Sequence, residues 1–123
     1  MPLKLLLVDD EEAILRVMER GLRKEYEVKT FASAIDALKE IEGGYQPDVI
    51  LSDVRMPAMD GVSFREKLRQ TRPEFLTRFV YVTSSQMDPG VSEYIASNRV
   101  RVLSKPATPD DVKSVIAEHV IKV

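Results

Sequence analysis

Five polar residues stand where apolar segments of the chain end, and their types suit phosphoryl chemistry. Asp9 and Asp10 follow the first apolar segment, Asp53 the third, Thr83 the fourth and Lys105 the fifth. Clustered carboxylates suit a small hard cation, and a hydroxyl and an ammonium group suit the oxygens of a phosphoryl group. These residues can act together only if the fold brings them to one place.

The elements that must position these residues alternate between strand and helix. The five predicted strands cover residues 3–8, 26–31, 48–52, 79–82 and 100–103. Apolar residues recur at helical spacing between and after the strands. In the first helix this stripe consists of Ile14, Val17, Met18, Gly21 and Leu22. Helix N-caps are predicted at Ser33, Asp88 and Thr108.

The strand and helix order predicts an α/β domain with a mostly parallel sheet. The expected architecture is a flavodoxin-like doubly wound (βα)5 fold with a five-stranded parallel sheet of strand order 2-1-3-4-5. Ligands of such folds bind at the carboxyl ends of the strands, where the first and third strands are neighbours. The three aspartates would therefore lie together, with Thr83 and Lys105 beside them.

Composition narrows the classes of protein to consider. The chain has 123 residues and no shift in composition, so residues 1–123 are expected to form one domain. The net charge of −2 predicts no nucleic-acid or membrane partner. The absence of cysteine excludes disulfides and thiolate metal sites. No apolar run has membrane-spanning length and no signal-peptide pattern is present, so we expect a cytoplasmic location.

Each candidate residue also has a simpler explanation. Asp9 and Asp10 could only cap the first helix, and Asp53 could be a turn residue. Thr83 could begin a loop, and Lys105 could be solvated. All these simpler explanations would have to apply by chance at the same edge of the sheet. A single functional site explains the arrangement better.

Four segments of the chain carry a recognisable set of motifs. Residues Asp53–Gly61 have the pattern Asp-x-x-Met-Pro-x-Met-Asp-Gly. The other three segments are Val8–Glu11, Val82–Ser84 and Ser104–Pro106. In these segments the chain resembles the receiver domains of two-component response regulators, of the chemotaxis-regulator type, and Asp53–Gly61 matches that family's pattern at every fixed position. The resemblance covers nearly the whole chain.

The resemblance implies a phosphorylation-dependent signalling switch that is not a turnover enzyme. Asp53 would accept a phosphoryl group from a phosphohistidine of a histidine kinase or phosphotransfer protein. Asp10 and Asp53 would bind Mg²⁺ or Mn²⁺ directly, Asp9 through water, and Arg55 through its backbone carbonyl. A downstream effector domain or protein would receive the signal.

The resemblance also implies roles around the phosphoryl group. Lys105 and Thr83 would each bind a phosphoryl oxygen, and the Lys105–Pro106 peptide bond is expected to be cis. Arg55 and Ser85 flank the path of the attacking water in this family and are expected to set the lifetime of the phosphoryl group. The alternative for Arg55 is a solvated surface arginine.

One position departs from the family pattern. In the family, the threonine moves toward the phosphate, and an aromatic residue three positions before the lysine turns inward behind it. Val102 occupies that position and has no ring to move; Tyr81 and Tyr94 are the nearest aromatic residues. We hypothesise that the phosphorylation chemistry is intact and that the output surface, formed by the fourth helix, fifth strand and fifth helix, is unusual.

Three groups of residues outside the motif are expected to be structural. His119 is expected to be a surface residue and not a phosphorelay histidine. Phe64 and Phe75 are expected in the core. A solvated helix face is expected for the basic residues Arg65, Lys67, Arg69 and Arg72.

Two other functions stay open. An aspartyl phosphatase of the haloacid-dehalogenase type would use a similar set of residues, but it needs a second aspartate where this chain has Arg55. A pseudo-receiver would bind partners without being phosphorylated, and Val102 keeps that possibility open. The sequence identifies neither the kinase and its signal nor the output and oligomeric state.

Overall fold

The helices and strands follow the alternation that the sequence predicts. The computed structural model describes residues 2–84 and 88–118. The strands are β1 (Lys4–Val8), β2 (Glu27–Phe31), β3 (Val49–Ser52), β4 (Phe79–Thr83) and β5 (Arg101–Ser104). The helices are α1 (Glu12–Leu22), α2 (Ala34–Glu42), α3 (Gly61–Thr71), α4 (Pro89–Asn98) and α5 (Pro109–Ile116). A 3₁₀ segment, Pro73–Arg78, which the sequence analysis did not predict, joins α3 to β4.

The sheet is parallel throughout and has the order β2-β1-β3-β4-β5. This confirms the flavodoxin-like fold. Val8 pairs with Ser52, so the residues that follow β1 and β3 leave the sheet at the same level. Thr83 pairs with Ser104 in the same way. The register therefore brings the carboxyl ends of β1, β3, β4 and β5 to one edge.

Apolar cores cover both faces of the sheet. Leu6 and Val8 of β1 face the core that α2 and α3 cover, whereas Leu5 and Leu7 face the core that α1 and α5 cover. A strand that is buried on both faces needs apolar residues at successive positions. That requirement explains the continuous apolar run before Asp9.

The predicted helix starts are confirmed, and one predicted core residue is wrong. Ser33, Asp88 and Thr108 each accept a hydrogen bond from the backbone N–H three residues later. Val17 is 57% exposed. Leu15, which is buried, takes its place on the inner face of α1, beside Met18 and Leu22.

Arg65 is not on a solvated helix face, so that prediction is wrong. Its side chain lies on the buried stripe of α3, one residue after the fully buried Phe64, and it is 6% exposed. The guanidinium carbon lies 5.7 Å from the ring centre of Phe79 and 5.8 Å from that of Tyr94. Aromatic faces stabilise a desolvated cation, which makes burial of this arginine possible.

The other residues expected outside the motif agree with the sequence where the structure describes them. The three remaining basic residues, Lys67, Arg69 and Arg72, are exposed. Phe75 is partly buried and packs against the core beneath α2 and α3. His119 and Ser85 lie outside the described residues.

None of the helices in the described part of the chain has both the length and the apolar character that crossing a membrane requires.

Helix α4 is held differently from the other four helices, because none of its residues is buried. Val91, Tyr94 and Ile95 are partly buried against the core. The hydroxyl of Tyr94 donates to Glu66 Oε2 at 2.5 Å and accepts a hydrogen bond from Arg65 Nη1 at 3.2 Å. Partly buried apolar side chains and polar contacts to α3 therefore attach α4 together.

Candidate functional site

Three carboxylates meet at the carboxyl edge of the central strands. Asp9 and Asp10 follow β1, Asp53 follows β3, and one oxygen of each lies within 4.8 Å of the others. Asp9 and Asp53 are buried, whereas Asp10 is exposed. The structure thus brings together the three aspartates that the sequence singled out.

Backbone pairing continues past the strand ends and fixes the two buried aspartates. The Asp53 N–H donates to the carbonyl of Val8 at 2.8 Å, and the Asp9 N–H donates to that of Phe31 at 3.1 Å. Asp53 Oδ1 accepts the N–H of Val54 at 2.7 Å. The other carboxylate oxygen of Asp53, Oδ2, therefore points toward the remaining residues of the site.

Lys105 is the cation at the centre of this cluster. Its Nζ lies 2.9 Å from Asp9 Oδ2, 3.0 Å from Asp53 Oδ2 and 3.2 Å from Glu11 Oε1. Burial alone lowers the pKa of Lys105, but hydrogen bonds to Asp9 and Asp53 outweigh it, and the net pKa is raised. Lys105 therefore carries a full positive charge at neutral pH.

The negative charge at the site is only partly compensated. Burial raises the pKa of Asp9 above its ordinary value, and the nearby Asp53 charge raises it further. The hydrogen bonds that Asp9 accepts from the Glu11 N–H and from Lys105 offset only part of this rise. A buried carboxylate whose ionised form is disfavoured gains from an additional positive charge nearby.

Thr83 and the loop after β5 complete the edge. Thr83 is buried at the end of β4, and its carbonyl accepts the Lys105 N–H at 2.8 Å. The Lys105–Pro106 peptide bond is cis. These contacts place the backbone of Thr83 directly beside that of Lys105.

Of the predicted tuning and switch positions, Arg55 lies at this edge and Val102 lies within β5. Arg55 is exposed and lines an open depression with Asp10, Met56, Pro57 and Asp60. Val102 is partly buried against the core beneath α2 and α3. Ser85 is not among the described residues.

Two residues near the acceptor carry structural roles that the sequence analysis did not assign. Glu11 pairs with Lys105, and its place directly after the acidic pair is the signal that could have suggested this. Gly61, the first residue of α3, packs directly on the backbone of Asp53, because a Cβ there would stand 2.3 Å from the Asp53 carbonyl oxygen. In the sequence, Gly61 stands out only as the last residue of the motif that begins at Asp53.

A groove leads from the protein surface to Lys105. Ile14 and Met18 of α1 form one wall, and Pro106 and Ala107 form the other. Lys105 and Glu11 lie along the same groove. The site is thus open on the side where α1 meets the loop before α5.

Comparisons with known proteins agree on one family. A family model described as "Response regulator receiver domain" matches residues 5–117. Protein-glutamate methylesterase/protein-glutamine glutaminase 2 of Hahella chejuensis is 33% identical over 107 residues, which are 85% of this chain and 29% of that protein. The DNA-binding transcriptional regulator NtrC of Proteus hauseri is 34% identical over 111 residues, 89% of this chain and 23% of that protein. The chain thus spans less than a third of the length of either relative.

A solved structure supports the same conclusion. The response regulator receiver domain protein (CheY-like) from Methanospirillum hungatei JF-1 is 27% identical, with a TM-score of 0.87. The alignment covers 99% of this chain and 96% of that one. Sequence and backbone therefore point to the same group of proteins.

Proposed function

Because the chain belongs to the family of response regulator receiver domains of two-component systems, we propose that it is a phosphorylation-dependent switch with Asp53 as the phosphoacceptor. Residues 1–123 would form a single receiver domain. The observation that carries this proposal is the position of Lys105 Nζ, 3.0 Å from Asp53 Oδ2 and 2.9 Å from Asp9 Oδ2. An ammonium group held against the nucleophile can bind an oxygen of the incoming phosphoryl group.

Asp53 has the contacts that a nucleophilic carboxylate needs. Its Oδ1 is held by the Val54 N–H, which leaves Oδ2 to attack. Oδ2 forms a bond to phosphorus while the phosphorus–nitrogen bond of the donor phosphohistidine breaks. The donor imidazole leaves with the electron pair of that bond and stays neutral, because its other nitrogen carries the proton. The product is an acyl phosphate on Asp53.

The donor set fits a divalent cation. Carboxylate oxygens are the ligands that Mg²⁺ prefers, and three of them lie within 4.8 Å of one another. We propose that Asp10, Asp53 and the Arg55 carbonyl hold Mg²⁺ or Mn²⁺ directly and that Asp9 does so through water. When bound, the ion supplies positive charge that offsets the negative charge of the phosphorylated site.

Lys105 and Thr83 act on the transferred group. The ammonium group of Lys105, which contacts Asp53 Oδ2 before phosphorylation, then contacts a phosphoryl oxygen instead. The Thr83 hydroxyl donates a hydrogen bond to another phosphoryl oxygen. Phosphorylation then alters the surface formed by α4, β5 and α5. Val102 in β5 has no ring to turn inward, so this change proceeds without the aromatic movement of the family.

The groove beside Lys105 is the proposed docking place of the phosphodonor. A donor histidine that approaches from this side meets apolar surface of Ile14, Pro106 and Ala107. The donor is a histidine kinase or phosphotransfer protein. An effector, either attached to this domain or separate from it, receives the signal.

The switch is not a turnover enzyme, although it slowly releases its own phosphoryl group. The family assignment does not favour an aspartyl phosphatase, and neither does Arg55, which stands where that chemistry needs a second aspartate. A pseudo-receiver is not favoured either, because the acidic set and Lys105 are complete.

Phosphorylation in vitro tests the proposal. Acetyl phosphate and Mg²⁺ should add one phosphoryl group to the protein, as measured by intact mass. Asp53→Asn should abolish the addition, whereas Asp36→Asn, an exposed aspartate in the first turn of α2, should leave it intact. Continued release of phosphate from a small ester, or addition that survives Asp53→Asn, would contradict the proposal.

A further inference from the structure

Tyr81 is a buried polar residue to which the proposed chemistry assigns no role. It lies in β4, is fully buried and is the largest of the fully buried side chains in the described part of the chain. Its hydroxyl donates to the carbonyl of Gly61 at 2.7 Å. Burial raises the pKa of the Tyr81 hydroxyl well above its ordinary value, so the group keeps its proton and remains a donor.

The acceptor of this hydrogen bond is the residue that packs beneath the phosphoacceptor. The Gly61 N–H donates to the Val54 carbonyl at 2.7 Å. A Cβ at Gly61 would stand 2.3 Å from the Asp53 carbonyl oxygen and 3.0 Å from Cε1 of Tyr81. The ring of Tyr81, the backbone of Gly61 and the backbone of Asp53 are thus stacked in direct contact.

The strand that carries Tyr81 also carries Thr83. Tyr81 pairs with Ser52, the residue just before the acceptor, and Thr83 lies two residues further along β4 on the same face of the strand. Through its backbone Tyr81 is fixed to the strand of Thr83, and through its hydroxyl it is fixed to the start of α3. It therefore links the two parts of the site that must face one phosphoryl group.

We propose that Tyr81 is a positioning residue for phosphoryl transfer: its hydrogen bond to Gly61 holds the Asp53 loop at the correct distance from Thr83. This inference rests on the proposed function. The ring is separately held by edge contact with Phe79, with ring centres 5.0 Å apart. Removing the hydroxyl alone should therefore keep the core packed and free the loop.

Tyr81→Phe tests this inference, with Tyr94→Phe as a matched control. Both changes remove one hydrogen-bonded phenol hydroxyl, but the Tyr94 hydroxyl bonds to the side chains of Glu66 and Arg65 of α3, whereas the Tyr81 hydroxyl bonds to the backbone of Gly61. The maximal rate of phosphorylation by acetyl phosphate at saturating Mg²⁺, and the affinity for beryllofluoride, should each fall about three- to tenfold in Tyr81→Phe. Both should be unchanged in Tyr94→Phe.

The rates are compared at a temperature at which circular dichroism shows every variant folded, since a purely structural role would lower the melting temperature without changing them. Tyr81→Met, which fills the space without a donor, should show at least the same loss. Rates and affinities equal to those of the unmodified chain in Tyr81→Phe would overturn the role of Tyr81 and leave the proposed function standing. An unmodified chain that gains no phosphoryl group would overturn both.

Discussion

Replacing Gly61 with alanine tests how tightly the acceptor loop rests on α3. The added Cβ would lie 2.3 Å from the Asp53 carbonyl oxygen and 2.9 Å from Val54 Cα. Both atoms belong to the backbone and cannot rotate away. Moving the oxygen out to 3.0 Å, the shortest distance at which such contacts occur, requires a shift of at least about 0.7 Å.

Two effects of Gly61→Ala oppose each other. Alanine favours a helix over glycine by up to about 1 kcal/mol, whereas overpacking against a rigid neighbour costs about 1–3 kcal/mol. We expect a net loss of about 1–2 kcal/mol in the free energy of unfolding, which corresponds to about 4–8 °C in Tm. Because misplacement of a reacting group by about 1 Å can cost about a hundredfold in rate, phosphorylation by acetyl phosphate should slow at least about tenfold.

The matched control is Gly90→Ala in the first turn of α4. The nearest atom to a Cβ there is Asp88 Oδ1 at 3.4 Å, an ordinary contact. This variant should gain up to about 1 kcal/mol of stability and keep its phosphorylation rate. Thermal unfolding followed by circular dichroism, together with intact mass after timed phosphorylation, measures both variants. A Gly61→Ala protein that matches the unmodified chain in Tm and rate would refute the view that α3 supports the acceptor.

Three further changes test other parts of the structure. Arg55→Ala should change the half-life of the phosphoryl group several-fold, because Arg55 lines the open approach to the site; an unchanged half-life, measured by the decay of phosphorylated mass, would leave this arginine as a surface residue. Gly21→Ala should cost about 1–2 kcal/mol by urea unfolding without slowing phosphorylation, because its Cβ would stand 2.4 Å from Cγ of Pro109 at the contact of α1 with α5; unaltered stability would mean that the two helices separate freely. Without Mg²⁺, Asp9→Asn should raise the free energy of unfolding at pH 7. Burial raises the pKa of Asp9 in the folded protein, so the ionised form costs stability above that raised pKa. The gain should shrink as the pH falls and vanish well below the ordinary pKa of an aspartate, where the carboxyl is protonated in both states. A gain that persists in strong acid would show another cause.

The sequence predicts the strand-end residues that the fold brings to the site, although not the contacts of Glu11 and Gly61 there. Asp9, Asp53, Thr83 and Lys105 each follow an apolar run, and parallel strands place their carboxyl ends at one edge. Strand order then decides which ends are neighbours. Short-range patterns and one topological rule are enough here, because the backbone N–H groups of Asp9, Asp53 and Lys105 continue the parallel pairing with the neighbouring strand.

Side-chain contacts between elements could not be predicted in the same way. The sequence predicts that Arg65 is solvated, because charged side chains are normally exposed. Its burial depends on the rings of Phe79 and Tyr94, which lie next to its guanidinium group only in the folded protein. The Tyr81 hydroxyl meets Gly61 because β4 pairs with β3 in a particular register, which no local pattern states. Val17 was misplaced because one residue of error in a helical stripe turns a side chain by about 100°.

The way in which α4 is attached has a consequence for local stability. Exposing apolar core surface to water is unfavourable and nothing offsets it. Polar groups such as the hydroxyl of Tyr94 and the guanidinium of Arg65 instead replace their protein hydrogen bonds with hydrogen bonds to water, at a small net cost in free energy. Since no residue of α4 is fully buried, its separation from α3 gives up only the partial burial of Val91, Tyr94 and Ile95 against the core. The amide hydrogens of α4 should then exchange with solvent through this local opening and not through global unfolding. A protein that binds the separated helix would lose only the small free energy of that opening from its affinity.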